Sequence, residues 1–302
     1  RIAINNNKVM ASGTSVKIVL QNDSIIHPGL DLRYDPSESV LDLIRDGKGI
    51  SAAPYQNTYH DLEMDFQTLK WRMDKDEIVF GTMPGNTATP ANFESADYYT
   101  NNRFDMMMGI DEIHPLVRVQ KFLNDNDLSK EFLIQDFVNY SSLQEEQSRR
   151  FLMWLAAEGF IIYNSTTGNV FVKDRLERYI AAKSKKRDYD VINFLSQKPK
   201  NNKNALLNLN SMDLTIHGVN EVYVSDVRDV IAVPRNRKIV VKEGRDFSMS
   251  GQLIAGDGGR FRINCESIDF DYEDFKMYFK DATTEIWVPN NQGIYDERGE
   301  LA

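Results

Sequence analysis

The sequence predicts an α+β protein in which antiparallel, β-rich units flank a helical segment. Three observations carry this. Apolar residues alternate with a period of two over 1–112, recur at three- and four-residue spacing over 113–187, and return to alternation over 205–302. Residues 188–204 read as an Asn-rich connector. With 302 residues, 41% of them hydrophobic and 27% charged, the chain can bury substantial cores and is not a disordered tail. Whether the β units build a sandwich, a roll or a solenoid stays open at this stage.

In the first unit, Leu30, Leu32 and Tyr34 share one face, Asp35-Pro36-Ser37 turns the chain, and Val40 to Ile44 returns. Leu62, Met64 and Phe66 then alternate with Asp61, Glu63 and Asp65. The phase slips at Gln67-Thr68 before Leu69, Trp71 and Met73 resume, which demands a bulge or tight turn to keep the apolar set on one side. A strand follows at Glu77 to Phe80, and the Gly/Pro-rich run 81–92 reads as a long loop. Tyr98, Tyr99, Phe104 and Met106 to Met108 form a Met/aromatic cluster suited to packing one segment on another or to an adaptable contact surface.

From Ile113 the periodicity is helical. Leu116, Val119, Phe122 and Leu123 mark a first helix, and Phe132, Leu133, Phe137 and Val138 a second. Ser142, three residues before Glu145, suggests a capping box for a third helix, whose face is Leu143, Phe151, Trp154 and Leu155 and whose stop is Gly159. Residues 160–163 and 169–172 flank a turn as a β-hairpin, and a last helix runs from about Asp174 to Ala182. Three helices, a hairpin and a further helix over 113–187 resemble a winged-helix domain, a fold that serves DNA binding in some proteins and protein docking in others.

In the last unit Ser211 to Ile216, with Val219 and Val222-Tyr223, matches Ser267 to Tyr272, with Phe275 and Tyr278-Phe279, at an offset of 56 residues. The match suggests repeated hairpins. Pro234 to Arg237 and Gly256 to Gly259 read as turns, and the single cysteine, Cys265, as an inward-facing strand residue that excludes an internal disulfide.

The chemistry-bearing motifs are few. The sequence has no phosphate-binding loop, nucleophile elbow, paired zinc cysteines or complete calcium loop. No catalytic residue, metal ligand or cofactor is therefore assigned, and a non-enzymatic chain is expected. His27, His60, His114 and His217 are scattered and read as turn or surface histidines, while Asp65, Asp213 and Asp269 read as solvated carboxylates on polar strand faces. The net charge of -9 repels phosphate and anionic lipid. Locally, 113–187 carries twelve Lys+Arg against nine acids, so Arg149, Arg150, Lys183, Lys185, Lys186 and Arg187 are candidate contacts for nucleic acid or a partner. The third helix, however, opens with Gln144-Glu145-Glu146-Gln147, which sets carboxylates where a groove-reading helix needs phosphate and base contacts. Nucleic acid is thus the disfavoured alternative, and a protein partner or neighbouring domains the expected one.

No apolar stretch is long enough to cross a bilayer as a helix, and the start lacks a signal-peptide core. Without an initiator Met the chain reads as a processed form or a piece of a longer polypeptide. The phrases His27-Pro-Gly-Leu-Asp-Leu-Arg-Tyr34, Ser51-Ala-Ala-Pro-Tyr-Gln-Asn-Thr-Tyr-His60 and Val224-Ser-Asp-Val-Arg-Asp-Val-Ile-Ala-Val-Pro-Arg235 resemble an internal part of very large envelope-associated proteins of the Bacteroidetes. That resemblance implies a cell-envelope or periplasmic location and a multidomain architecture, and it transfers no functional residue. The strand units are also similar in pattern to the β-rolls of periplasmic lipopolysaccharide-bridge proteins, which implies a third reading, lipid carriage in an apolar groove.

Overall fold

The computed structural model describes residues 2–5, 8–83, 90–96, 99, 101–108, 113–141, 143–184, 186, 192–197, 203–225, 229–274 and 276–286. The first part is a run of strands: β1 (Ile2–Asn5), β2 (Lys8–Leu20), β3 (Asp23–Asp35), β4 (Val40–Ile44), β5 (Tyr55–Asn57), β6 (Leu62–Asp65), β7 (Thr68–Arg72), β8 (Glu77–Gly81) and β9 (Ala91–Ser95). The phase slip after Phe66 is where the chain changes partners. β6 pairs with β5 and β9, whereas β7 pairs with β4 and β8, so both apolar sets face one interior. The run 81–92 is shorter than a full loop, because Ala91 already pairs in β9; residues 84–89 of it lie outside the described residues.

The middle of the chain holds α1 (Asn101–Met108), α2 (Pro115–Asp125), β10 (Glu131–Leu133), α3 (Ile134–Ser141), α4 (Glu145–Ala157), β11 (Ile161–Tyr163), β12 (Asn169–Val172) and α5 (Asp174–Lys183). α2 starts at Pro115 because the His114 ring accepts the Leu116 amide and proline fits a first helical turn. α4 starts one residue after Gln144, whose side chain caps it reciprocally with Gln147; Ser142, expected in that role, lies outside the described residues. Gly159, at φ +79°, ends α4 and turns the chain into β11. The small sheet runs β10-β12-β11. Neither periodicity nor turn signals mark β10 in the sequence, since three residues are too few to show alternation.

The last part contains β13 (Asn193–Ser196), β14 (Lys203–Asn208), β15 (Leu214–His217), β16 (Val222–Ser225), β17 (Val230–Pro234), β18 (Lys238–Val241), β19 (Phe247–Ala255), β20 (Phe261–Asp271), β21 (Lys276–Lys280) and β22 (Thr283–Ile286). The stretch expected as a connector therefore contains β13, whose Phe194 is fully buried against the sheet core. The sequence repeat does not recur as a repeated hairpin. β20 pairs with β21, but β15 pairs with β14 and β18 while β16 pairs with β17, because the loop after His217 carries the chain across to the other layer. Phe275 of that repeat lies outside the described residues.

The fold is mostly antiparallel and β-rich, with five helices among the described residues. Strands before and after the helices pair directly, β8 with β14 and β9 with β13, and nineteen strands join in one sheet. The sheet folds into two layers through long strands that change partner midway. β3 gives Ile25 and Ile26 to β5 and Asp31 to Asp35 to β4. β19 gives Phe247 and Ser248 to β18 and Gly251 to Ile254 to β17. The register shift between Met249 and Gly251 marks the second bend. Between the layers lies a core that includes Tyr55, Phe66, Phe80, Phe93, Phe194 and Phe247, with Tyr55 stacked on Phe66 at a centroid distance of 4.3 Å. A second core, from Leu116 and Phe122 to Phe160 and Tyr179, belongs to the helical segment. The Met/aromatic cluster joins it through Tyr99, Phe104 and Met107, while Met106 is exposed and Tyr98 lies outside the described residues.

Candidate functional site

The most concentrated chemistry lies where the helical segment meets the sheet. Glu63 on β6 and Glu94 on β9 are direct cross-strand partners. Two like charges opposite one another destabilise a ladder, the more so when both are buried, as these are. Arg175, in the first turn of α5, resolves the conflict by placing one guanidinium nitrogen on each carboxylate: Nη1 donates to Glu63 Oε2, and Nη2 to Glu94 Oε1 at 2.9 Å. Lys173 Nζ reaches Glu63 Oε1 at 2.7 Å, and Arg103 Nη1 on α1 reaches Glu94 Oε1 at 2.7 Å. Two carboxylates thus meet three cations from two helical elements.

The surrounding chain is shaped to this cluster. A Cβ at Gly159 would come within 2.5 Å of Glu63 Oε2 and 3.0 Å of Arg175 Nη1, so the glycine that stops α4 also admits the carboxylate. The Arg175 guanidinium lies 5.1 Å from the Phe160 ring centroid and 5.3 Å from that of Tyr179. Burial by itself would raise the Glu94 carboxyl, but the Arg175 and Arg103 guanidiniums overturn that and hold it below its ordinary value. Burial would likewise lower Arg175, and Glu63 with Glu94 raises it instead. A carboxylate so held is a weak proton acceptor, so the chemical capacity of the cluster is to clamp two parts of the chain together rather than to move protons. Beside it a cleft of about 220 Å³ is lined by residues that include Asp61, Lys130, Lys173, Asp174 and Arg178, a mixture of both signs.

In the sequence Glu63 stands on the polar side of the alternation, between Asp61 and Asp65, and in the structure it is buried. A signal for the pairing is present in the helix that supplies the cations. Lys173 and Arg175 stand at the N-terminus of α5, where the helix dipole disfavours positive charge, so both need carboxylate partners from elsewhere.

The six candidate contact residues do not form one surface of equivalent groups. Arg149 donates through Nε and Nη2 to Glu145 Oε1, at 3.1 and 2.7 Å, and through Nη1 to the Tyr163 hydroxyl at 3.1 Å. Arg150 is exposed on α4. Lys183 pairs with Asp105 of α1 at 2.5 Å and lies 5.4 Å from the Phe104 ring centroid. Lys186 is exposed, and Lys185 and Arg187 lie outside the described residues. Glu145 and Glu146 are exposed in the first turn of α4.

Three of the four histidines, read as turn or surface groups, are buried cross-links. His27 Nε2 donates to the Ala53 carbonyl at 2.7 Å while Nδ1 accepts the Gly29 amide at 3.1 Å, which requires the neutral ring. Burial pushes its pKa down to about 3. His60 Nε2 donates to the Met212 carbonyl at 2.8 Å, tying the first strands to the last third of the chain, and burial lowers it to about 4. His114 stacks on Phe104 at 3.8 Å and donates to the Phe104 carbonyl at 2.9 Å. Of the three aspartates read as solvated, Asp65 bonds Arg45, Asp269 lies 3.7 Å from Lys242, and Asp213, which precedes β15, is half-buried. Among the described residues no three His, Cys, Asp or Glu side chains are grouped to hold a metal, and no helix is long and apolar enough to cross a membrane.

No family model matches the chain, and neither curated proteins nor solved structures include a significant match to it.

Proposed function

We propose that this chain is a non-enzymatic structural and protein-interaction segment of a larger envelope polypeptide, in which the helical segment is a docking module carried rigidly on the β body. The observation that carries this reading is the buried cluster of Glu63, Glu94, Arg103, Lys173 and Arg175. It directs basic side chains of the helical segment inward, onto the sheet, and fixes the segment's orientation. The order of elements supports a winged-helix reading of 113–187: helix, strand, helix, helix, hairpin and a closing helix, with the first strand beside the last. In this reading α4 takes the place of the recognition helix. Its opening turn offers carboxylates, and its Arg149 is held by Glu145 and Tyr163, an arrangement suited to a protein partner rather than to phosphate. Envelope location follows from the phrase resemblance alone.

Fractionation of the source cells with external protease challenge, using an antibody against this segment, tests the reading. Recovery in the envelope fraction is expected, and recovery in the cytoplasm would overturn the location. For the docking role, fluorescence anisotropy with random duplex DNA at low salt is expected to show no binding at tens of micromolar, where nonspecific binders with dissociation constants of about 10⁻⁴ to 10⁻⁶ M at physiological salt tighten into view. Saturable binding abolished by Arg150→Ala would replace it with nucleic-acid recognition.

A further inference from the structure

The small sheet β10-β12-β11 has two faces of different use. Toward the helices, Phe132, Ile161, Tyr163, Val170 and Val172 are buried in the second core. The alternate residues of an antiparallel sheet face away from the core and are ordinarily polar. Here they are Glu131 and Leu133 of β10, Asn169 and Phe171 of β12, and Ile162 of β11. Leu133 is 48% exposed and Phe171 39%, and Ile162 is half-buried. The register brings them together, because Phe171 has Glu131 on one side and Ile162 on the other, while Leu133 lies opposite Asn169. Large apolar side chains that fill no core are free to meet something outside it.

These side chains line an open groove of about 430 Å³, and every residue that lines it is among the described ones. Two charged residues take part, Glu131 and Asp136, and both are acids. Asp136 Oδ2 accepts the Leu133 amide at 3.3 Å, whereas Glu131 has no ion pair among the described residues. Phe171 also borders the cleft of mixed charge, but Lys130, Lys173 and Arg175 of that cleft are held by Asp174, Glu63 and Glu94. The groove is therefore apolar and negative, and it complements apolar groups that stand beside a cation.

Its size selects the kind of occupant. β10 and β11 have three residues each and β12 four, so the face measures about 10 Å by 10 Å. A second folded copy of the chain would need about 800 Å² on each side for a stable contact. A small molecule is ordinarily enclosed over about 70–90% of its surface, which the open face of a sheet does not provide. We infer that the outer face of the β10-β12-β11 sheet binds a short linear segment of a protein partner, with apolar side chains on Leu133, Ile162 and Phe171 and a Lys or Arg at Glu131 and Asp136. This rests on the reading of the helical segment as a docking module, and it sets the contact on a face of that module other than α4.

The test applies the whole chain to arrays of linear peptides of about eight residues in which Leu, Ile or Phe alternates with Lys, and to matched arrays with Glu for Lys or Ser for the apolar residue. Binding to the first array alone is expected. For the peptide that binds best, fluorescence anisotropy is expected to show a dissociation constant raised about tenfold or more by Leu133→Ser and by Glu131→Lys. Glu38→Lys makes the same change of net charge at an exposed turn of the large sheet and is expected to leave the constant unchanged. Equal binding to the Lys and Glu arrays, or a constant that neither Leu133→Ser nor Glu131→Lys moves, would overturn the inference. So would a wild-type dimer in sedimentation velocity that Leu133→Ser dissolves, since the face would then belong to a second copy. The wild-type arrays decide the matter should a variant fail to fold. Binding of duplex DNA removes the docking role itself, whereas failure of the arrays in a protein that binds no DNA removes this face alone.

Discussion

Arg175 is a residue whose energetic weight depends wholly on its partners. A buried guanidinium shared by two glutamates contributes little net stability compared with an apolar replacement, but removing one partner leaves an uncompensated buried charge. Glu63→Gln is expected to destabilise the protein by about 3 kcal/mol in urea denaturation. Replacing Glu63 and Arg175 together with Leu and Met should lose less than the sum of the two single changes, because the Glu63–Arg175 pair is then removed as a unit and only Lys173 is left without its Glu63 partner. Strictly additive losses would show that the two side chains are not coupled. The histidines set a pH dependence of defined sign. His27 and His60 have folded values of about 3 and about 4 against an ordinary 6.5, so between those limits the unfolded chain binds more protons. Stability is complete above the ordinary value and falls as the pH is lowered through that window, by up to about 1.4 kcal/mol per pH unit for each ring. Glu94, also held low, adds a further loss only below its ordinary 4.5. Denaturation midpoints measured between about pH 5 and 6.5 therefore isolate the histidines, and His60→Asn should flatten the slope there.

At the scale of elements, the bends in the long strands govern how the sheet closes on itself. Gly251 sits at φ +150°, and a Cβ there would meet the Val233 carbonyl oxygen and come within 2.8 Å of the Arg235 amide nitrogen. Gly251→Ala is expected to cost about 2 kcal/mol or more, through strain at the point where β19 exchanges β18 for β17. A urea midpoint equal to that of the wild type would place the bend elsewhere. Several elements are legible in the amino-acid sequence alone: α2, α4 and α5 from apolar spacing and stops, the β11/β12 hairpin from its turn, and the partner change at Gln67 from the phase slip. β10 and β13 are not, because strands of three or four residues carry too little alternation to stand out from a loop. The offset of 56 residues is a real similarity of pattern without a common pairing. Alternation fixes which face of a strand is apolar, and leaves open which neighbour it meets.

For the whole molecule, the question is how the helical segment and the sheet respond to stress together. Glu63 and Glu94 sit on sheet strands and Arg103, Lys173 and Arg175 on the helical side, so the cluster crosses between the two cores. A single calorimetric transition is expected for the wild type. The variant Glu63→Gln with Glu94→Gln should separate it into two, with the helical segment melting first. One unchanged transition in that variant would mean that apolar contacts alone join the parts, such as those of the 49–52 turn, where Ile50 packs against the helical core.

By itself, the sequence determined that this is a β-rich chain with a helical interval, that its apolar residues suffice for two cores, and that it carries no recognised catalytic motif. Those are local properties, readable from spacing and residue type. The joining of the first and last strands into one two-layered sheet, the burial of His27 and His60, and the meeting of Glu63 with Arg175 across 112 positions were decided only in the tertiary structure. The reason is physical. A glutamate on a polar strand face reads the same whether water or a helix lies above it, and only the path of the chain determines which of the two it meets.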